Sequence, residues 1–138
     1  MKATKITVEV TISADKKKVW KFWTTPEHVI NWNFASDDWQ CPKAMNDLKT
    51  GGKFSYRMEA KDQSAGFDFE GTYDEVVDQK KITYSMPDGR QTTIDFENVN
   101  DKTKVTETFD AEDIHSIEMQ KTGWQTILDN FKKYVEAN

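Results

Sequence analysis

One carboxylate stands out among the residues that could carry chemistry, because the sequence pattern makes it face inward. Glu107 shares a strand face with Val105 and Phe109 if that segment alternates regularly. A carboxylate buried without partners is costly, so it must be paired, hydrogen-bonded or protonated. Glu107 could therefore orient a ligand's polar head inside an apolar pocket, which is the usual design of small-molecule sites. The alternatives are a wet position near a strand end, or a hydrogen bond from a Trp N–H or Gln120.

A second group of candidate residues is large and apolar. Three tryptophans fall in a helical segment and the loop after it, near the expected entrance of a cavity, where they could stack on a ring-containing or lipid-like ligand: Trp23, Trp32 and Trp39. Six more residues would point inward from strands or from the last helix, and methionine among them suits adaptable pockets: Met58, Phe69, Tyr84, Met86, Trp124 and Leu128. For each of these residues, ordinary core packing is the alternative interpretation.

Other reactive residue types form no recognisable constellation. His28 and His115 are far apart in sequence, so we expect no metal site. Cys41 lacks the neighbours that would mark a nucleophile. Gly51-Gly52 is not embedded in a phosphate-binding motif and suits a turn. The sequence therefore predicts neither catalytic residues nor a bound cofactor.

Composition narrows the class of protein. The 138 residues fit one domain, which we expect to span 1–138, and 31% of them are charged. The net charge of -5 argues against nucleic-acid binding. No apolar run of about 18 residues is present, so we expect no membrane span. A single cysteine, together with an N-terminus that does not resemble a signal peptide, predicts a cytoplasmic protein.

The order of elements predicts an α+β fold. A strand with apolar residues at every second position from Ile6 to Ile12 comes first, and Ser13 could cap the helix that follows it. Pro26 suits the first turn of a second short helix. An irregular segment is expected over 33–50, followed by five or six short antiparallel strands between Lys53 and Phe109. Asp88-Gly89 indicates a two-residue hairpin between two of them.

The C-terminal segment predicts one long amphipathic helix. Its apolar residues recur at helical spacing: Ile117, Trp124, Ile127, Leu128, Phe131, Tyr134 and Val135. Such a helix must bury its apolar face against the preceding sheet. We expect a curved sheet that grips the helix to leave a hydrophobic space between them. Gly123 lies inside this helix, and it predicts either a close approach of helix and sheet or room for a ligand.

Several segments, in order and at consistent spacing, resemble a known family. They are Val19-Trp20-Lys-Phe-Trp23-Thr-Thr-Pro26-Glu27 with Trp32, Asp47-Leu48-Lys-Thr-Gly51-Gly52-Lys-Phe54, Gly71-Thr-Tyr73-Asp-Glu75-Val76, Asp88-Gly89-Arg90 and Gly123-Trp124-Gln-Thr-Ile127-Leu128. The chain resembles the family related to the C-terminal domain of the heat-shock-protein-90 ATPase activator, within the START and Bet v 1-like superfamily. The resemblance implies a helix-grip fold: a curved antiparallel sheet wrapped around a long C-terminal helix, with two short helices after the first strand.

Three functions remain open from the sequence. The wider superfamily implies a cavity that binds a small hydrophobic molecule, such as a lipid, sterol or aromatic polyketide, and this is the leading hypothesis. The narrower family implies a chaperone partner instead. An enzyme of the cyclase or aromatase type is the least favoured, because it would need a converging polar set and only Glu107, Tyr56, Tyr73 and Tyr84 are candidates.

Overall fold

A computed structural model describes residues 4–138 of the chain. Its elements follow the predicted order, with helices α1 and α2 after the first strand and α3 at the C-terminus. The bounds are β1 Lys5–Ile12, α1 Lys16–Thr24, α2 Pro26–Val29, β2 Trp39–Asn46, β3 Lys53–Ala60, β4 Gly66–Val77, β5 Lys81–Ser85, β6 Gln91–Val99, β7 Lys102–Asp110 and α3 Ile117–Ala137.

The described strands form one antiparallel sheet in the order β1-β7-β6-β5-β4-β3-β2. Consecutive strands from β2 to β7 are neighbours, and β1 returns to pair with β7. Helices α1 and α2 therefore connect the two opposite edges of the sheet. The expected α+β helix-grip architecture is confirmed.

Helix α3 closes the concave face of this sheet. Ser116 caps its N-terminus by accepting a hydrogen bond from the Met119 N–H at 3.1 Å. Leu128, Phe131 and Val135 are fully buried, and the helix packs most extensively against β1. The prediction that Ile117 belongs to the buried face was wrong, because that face begins only at Gln120.

Strand β2 replaces much of the irregular segment that the sequence predicts. It pairs with β3 along the edge of the sheet, and the register shifts between Gln40 and Lys43. Pro42 lies at this irregularity, where a residue without a backbone N–H is tolerated. The interrupted alternation around Pro42 hides the strand from a search for period-two patterns.

Two local predictions also needed correction. Asp15, not Ser13, caps α1, because its carboxylate accepts the Lys18 N–H at 2.8 Å. The β5–β6 connection is longer than the two-residue turn that Asp88-Gly89 indicated. It spans residues 86–90, with the Met86 N–H donating to the Arg90 carbonyl at 2.8 Å and Gly89 at a φ of +92°.

Two glycines differ in what surrounds them. A Cβ at Gly52 would lie 2.1 Å from the carbonyl oxygen of Asp47, which is a hard backbone clash. A Cβ at Gly123 would have no contact within 4 Å beyond the helix's own backbone. The expected close approach of helix and sheet at Gly123 is therefore wrong, and the helix borders open space there.

We predict opposite effects on stability for alanine at these two positions. Gly123→Ala should stabilise the fold by about 1 kcal/mol, the usual helix-propensity difference. Gly52→Ala should destabilise it by about 1–3 kcal/mol through overpacking. Urea denaturation of both variants measures the two changes, and equal effects would contradict the packing described above.

Candidate functional site

A cavity of about 150 Å³ lies between the concave sheet face and α3, and we call it the inner cavity. Its walls come from α1, from the segment after α2, from strands β3 to β7 and from α3. Most of the lining is aromatic or aliphatic, and its polar groups are those of Asn33 and Glu107, the tyrosine hydroxyls and the tryptophan N–H groups. The lining consists of Trp23, Trp32, Asn33, Phe54, Tyr56, Met58, Phe67, Phe69, Tyr73, Ile82, Tyr84, Ile94, Glu107, Trp124 and Ile127.

Among the described residues, Glu107 alone brings a carboxyl group to the inner cavity. It lies on β7 between Val8 of β1 and Ile94 of β6, and it is 5% exposed. Within residues 4–138 its carboxyl group makes no hydrogen bond or ion pair, whereas every fully enclosed side-chain N or O atom there has a partner. The Glu107 oxygens are therefore not enclosed by protein and border the cavity.

Burial is the main cause of the raised pKa of Glu107. It raises the pKa of this carboxyl to about 8, and no donor or cation among the described residues offsets the cost. The carboxyl is therefore mostly protonated at neutral pH. It can donate a hydrogen bond in that form, and on ionisation it becomes an acceptor and a negative charge.

The tyrosines at the cavity stay neutral over the same pH range. Burial raises the pKa of Tyr73 to about 12, and its hydroxyl donates to the Asn46 Oδ1 at 2.5 Å. Burial also raises the pKa of Tyr84, and the nearby Glu107 charge raises it further. These groups can offer hydroxyl hydrogen bonds but do not supply a counter-charge to Glu107.

Aromatic rings divide the inner cavity from a second, more open depression. Trp124 stacks on Phe109 with ring centroids 3.8 Å apart, and Phe69 meets Trp124 edge-on at 6.0 Å. Both Phe69 and Trp124 also border the second depression, which we call the outer groove. The outer groove has a volume of about 560 Å³ and is lined by Phe67, Asp68, Phe69, Glu70, Met86, Pro87, Arg90, Glu112, His115, Met119, Gln120, Gly123 and Trp124.

Seven of the residues predicted from sequence to bind a ligand meet at the inner cavity: Trp23, Trp32, Met58, Phe69, Tyr84, Glu107 and Trp124. Three others do not line it. The ring centroid of Trp39 lies 6.2 Å from that of Phe67, Met86 borders the outer groove, and Leu128 is fully buried in the core. Trp32 is constrained, because its N–H already donates to the Phe22 carbonyl at 3.1 Å.

Other cavity residues escaped the sequence prediction. Phe54, Ile82 and Ile94 each belong to an alternating apolar pattern, which predicts that they face inward. The pattern does not tell residues that line the cavity from residues that pack in the core. Ile127 could have been found from its helical spacing to Trp124. Asn33 has no such signal, because nothing in the sequence marks a polar residue after α2 as buried.

The remaining reactive residues have structural partners. Burial raises the pKa of the Cys41 thiol to about 11, which keeps it protonated and unreactive. His28 stacks on Phe22 at 3.9 Å and hydrogen-bonds the Tyr134 hydroxyl at 2.7 Å. Over residues 4–138, no group of three or more His, Cys, Asp or Glu side chains is arranged to hold a metal ion. None of the described helices is both long and apolar enough to cross a membrane.

We predict that Glu107 makes stability fall as pH rises. The unfolded chain releases the Glu107 proton near its ordinary pKa of 4.5, whereas the folded protein holds it up to about pH 8. The contribution of Glu107 to the free energy of unfolding is therefore greatest below pH 4.5. It declines between pH 4.5 and pH 8, by on the order of 5 kcal/mol in total. Urea denaturation of wild type and Glu107→Gln between pH 5 and pH 9 isolates this part of the decline.

Glu107→Gln should lose the decline that belongs to Glu107, because the amide does not titrate. Parallel pH profiles for the two proteins would show that Glu107 keeps an ordinary pKa and is solvated.

A family model and several solved structures resemble the chain over most of its length. A family model described as "Activator of Hsp90 ATPase homolog 1-like protein", AHSA1, matches residues 13–136. No curated protein matches the chain.

Solved structures of bacterial proteins share the fold closely. An AHSA1-like protein from Aeromonas hydrophila is 45% identical, with a TM-score of 0.91 over 97% of this chain and 93% of that one. Chr148 from Cytophaga hutchinsonii is 48% identical, with a TM-score of 0.84 over 97% and 93%. CV1439 from Chromobacterium violaceum shares the fold at 22% identity, with a TM-score of 0.87 over 98% and 99%. The chain therefore belongs to the AHSA1 family, the activator of Hsp90 ATPase homologue 1-like proteins, within the START and Bet v 1-like superfamily.

Proposed function

We propose that this protein binds a small, mostly apolar molecule in the inner cavity and does not transform it. The observation that carries this proposal is an aromatic-walled cavity with one carboxyl group to which none of the residues 4–138 gives a hydrogen bond or counter-charge. Native proteins rarely keep a buried polar group without a partner. A ligand that fills the cavity and hydrogen-bonds Glu107 would supply both the missing packing and the missing partner.

The volume of the inner cavity limits the size of this ligand. About 150 Å³ is enough for one benzene-sized ring in an apolar site. A sterol, lipid or fused polyketide needs more room, since pockets for drug-sized ligands run from about 300 Å³ upward. Such a molecule would have to part Phe69 from Trp124 and extend into the outer groove. We therefore propose a compact head in the inner cavity, with any longer portion in the groove.

A cytoplasmic setting suits this function. Cys41 is a free, buried thiol in the described structure, and a reducing compartment keeps such a thiol unpaired. The described elements form a single sheet gripping one helix, which supports the interpretation of residues 1–138 as one domain.

A second candidate function is a chaperone interaction, which the family match favours. Apolar side chains are exposed where the chain enters α3: Ile114 at 85% and Met119 at 62%. Exposed apolar groups of this kind can mark a protein contact. In this proposal the surface that carries the function is the start of α3, and the inner cavity is not required.

We predict that single-ring compounds raise the melting temperature of the wild-type protein. The probes are benzene, toluene and benzyl alcohol, because each has a single ring that fits the cavity by size. A ligand at about 100 times its dissociation constant stabilises the folded state by about 2.7 kcal/mol. Differential scanning fluorimetry at increasing probe concentration measures the shift.

Two tryptophan substitutions on α3 provide the control. Ile127→Trp replaces an aliphatic side chain of the lining by a bulky ring that fills the inner cavity, and it should abolish the shift. Ile117→Trp changes an exposed position on the same helix, 44% exposed and away from the cavity, and should preserve it. Absence of a shift with all three probes in the wild-type protein would refute the proposed function.

The chaperone candidate has its own test. If it holds, adding the purified chain should increase the steady-state ATPase rate of a heat-shock protein 90. Met119→Glu should reduce this stimulation, since it places a charge on the apolar start of α3. Met45→Glu is the matched control, because Met45 is equally exposed at 62% and lies on β2. No stimulation by the wild-type chain would exclude this candidate for the chaperone tested.

A further inference from the structure

The inner cavity joins three features that favour one class of ligand. Its walls present aromatic rings, among them Trp23, Phe69 and Trp124. Its one ionisable group in the ordinary pH range is a carboxyl that borders the cavity. None of the described Lys, Arg or His residues lines it. The cavity can therefore turn negative, and it offers no positive charge to an anion.

We propose that the inner cavity selects an organic cation, a compact apolar group that ends in a protonated amine held beside the Glu107 carboxylate. This inference rests on the proposed function and specifies its ligand class. Aromatic ring faces attract ammonium groups, most strongly where water is excluded. The ion pair adds to that attraction inside the same cavity.

The fold reduces the desolvation cost that usually weakens a buried ion pair. Such pairs are often weak, because both ions lose their hydration when they are buried. Here the folded protein has already buried Glu107, which is 5% exposed before any ligand arrives. The ligand's ammonium loses only its own hydration and satisfies a group that otherwise lacks a partner. A neutral ligand can hydrogen-bond the protonated carboxyl, but it supplies no counter-charge to the ionised form that predominates above pH 8.

The outer groove supports the same choice of ligand. Three carboxylates border it, from Asp68, Glu70 and Glu112, and its basic residues are Arg90 and His115. Arg90 is bound to Asp88 at 2.7 Å, His115 lies 3.1 Å from Glu112, and Asp68 lies 3.6 Å from Arg57. Glu70 is the carboxylate of the groove that pairs with no cation among the described residues. The groove therefore has an excess of negative charge on the side from which a ligand would pass Phe69 and Trp124. Charge of this sign raises the local concentration of cations.

Binding of the amine is coupled to one proton. When a protonated amine meets protonated Glu107, the carboxyl releases its proton to solvent, the ammonium keeps its own, and an N–H donates to the carboxylate. The titratable groups that face Glu107 across the cavity are Tyr56 of β3, Tyr73 of β4 and Tyr84 of β5, and burial raises the pKa of each. The neighbours from β1, β6 and α3 do not titrate: Val8, Ile94, Trp124 and Ile127.

Isothermal titration of the wild-type protein with benzylamine tests the inference, with benzyl alcohol as the uncharged probe of equal size. The benzylamine dissociation constant should fall about tenfold from pH 6 to pH 7, continue to fall to pH 8 and level off above it, because the Glu107 pKa of about 8 makes the ionised form predominant only there. Titration at pH 7 in buffers of different ionisation enthalpy should show release of close to one proton per benzylamine. Benzyl alcohol should release none, and its affinity should stay flat with pH.

Glu107→Gln is the matched variant, because it keeps the shape and removes the charge. Its affinity for benzylamine at pH 8 should be at least about tenfold weaker than that of the wild type, since the charged pair is lost. Its affinity for benzyl alcohol should change far less. The proton count on the wild type needs no variant, so the test holds even if Glu107→Gln folds poorly.

The outcomes separate the two proposals. If benzyl alcohol binds and benzylamine binds no more tightly at pH 8, or releases no proton, the cation inference is overturned while the proposed function stands. If neither probe binds, the proposed function fails and the inference fails with it. If benzylamine binds wild type and Glu107→Gln equally at pH 8, Glu107 is not the anchor and the inference is overturned.

Discussion

Helix α3 packs unevenly on the concave face of the sheet, and the cavity and the groove both depend on this uneven packing. The C-terminal half of the helix is sealed, because Leu128, Phe131 and Val135 are fully buried, and its closest partner is β1 at one edge of the sheet. The N-terminal half is not sealed, since Gly123 borders open space and Trp124 bridges to the far strands through Phe69. The C-terminal half of α3 thus contributes the stability of a filled core. The N-terminal half borders the inner cavity and the outer groove.

Glu107 shows how that division affects the chemistry of the site. The same concave face that accepts apolar side chains from β7 at Val105 and Phe109 also accepts this carboxyl between them. A leucine there would pack without any electrostatic cost, whereas the carboxyl has its pKa raised to about 8. A protein tolerates such a cost at a functional position more readily than in an ordinary core. The buried carboxyl is therefore better explained by what enters the cavity than by the stability of the fold.

Sequence periodicity predicted which side chains face inward but not which of them border empty space. Alternation placed Phe54, Tyr56 and Met58 on the concave face, and Glu107 with Val105 and Phe109, as the structure has them. The same reasoning could not separate Leu128, which is core, from Ile127, which lines the cavity, because both belong to one broad apolar face of α3. Strand β2 was missed because Pro42 and the register shift interrupt its alternation. Cavity volume depends on how two distant elements are spaced, and no local pattern encodes that spacing.

The irregular edge strand β2 has a consequence for how these molecules behave at high concentration. An unprotected outer strand offers a row of backbone donors and acceptors on which another chain can add by sheet extension. Pro42 contributes no donor to that row, and the register shift beside it bends the strand away from a flat template. This border of the sheet is therefore a poor template for edge-to-edge pairing with a second chain.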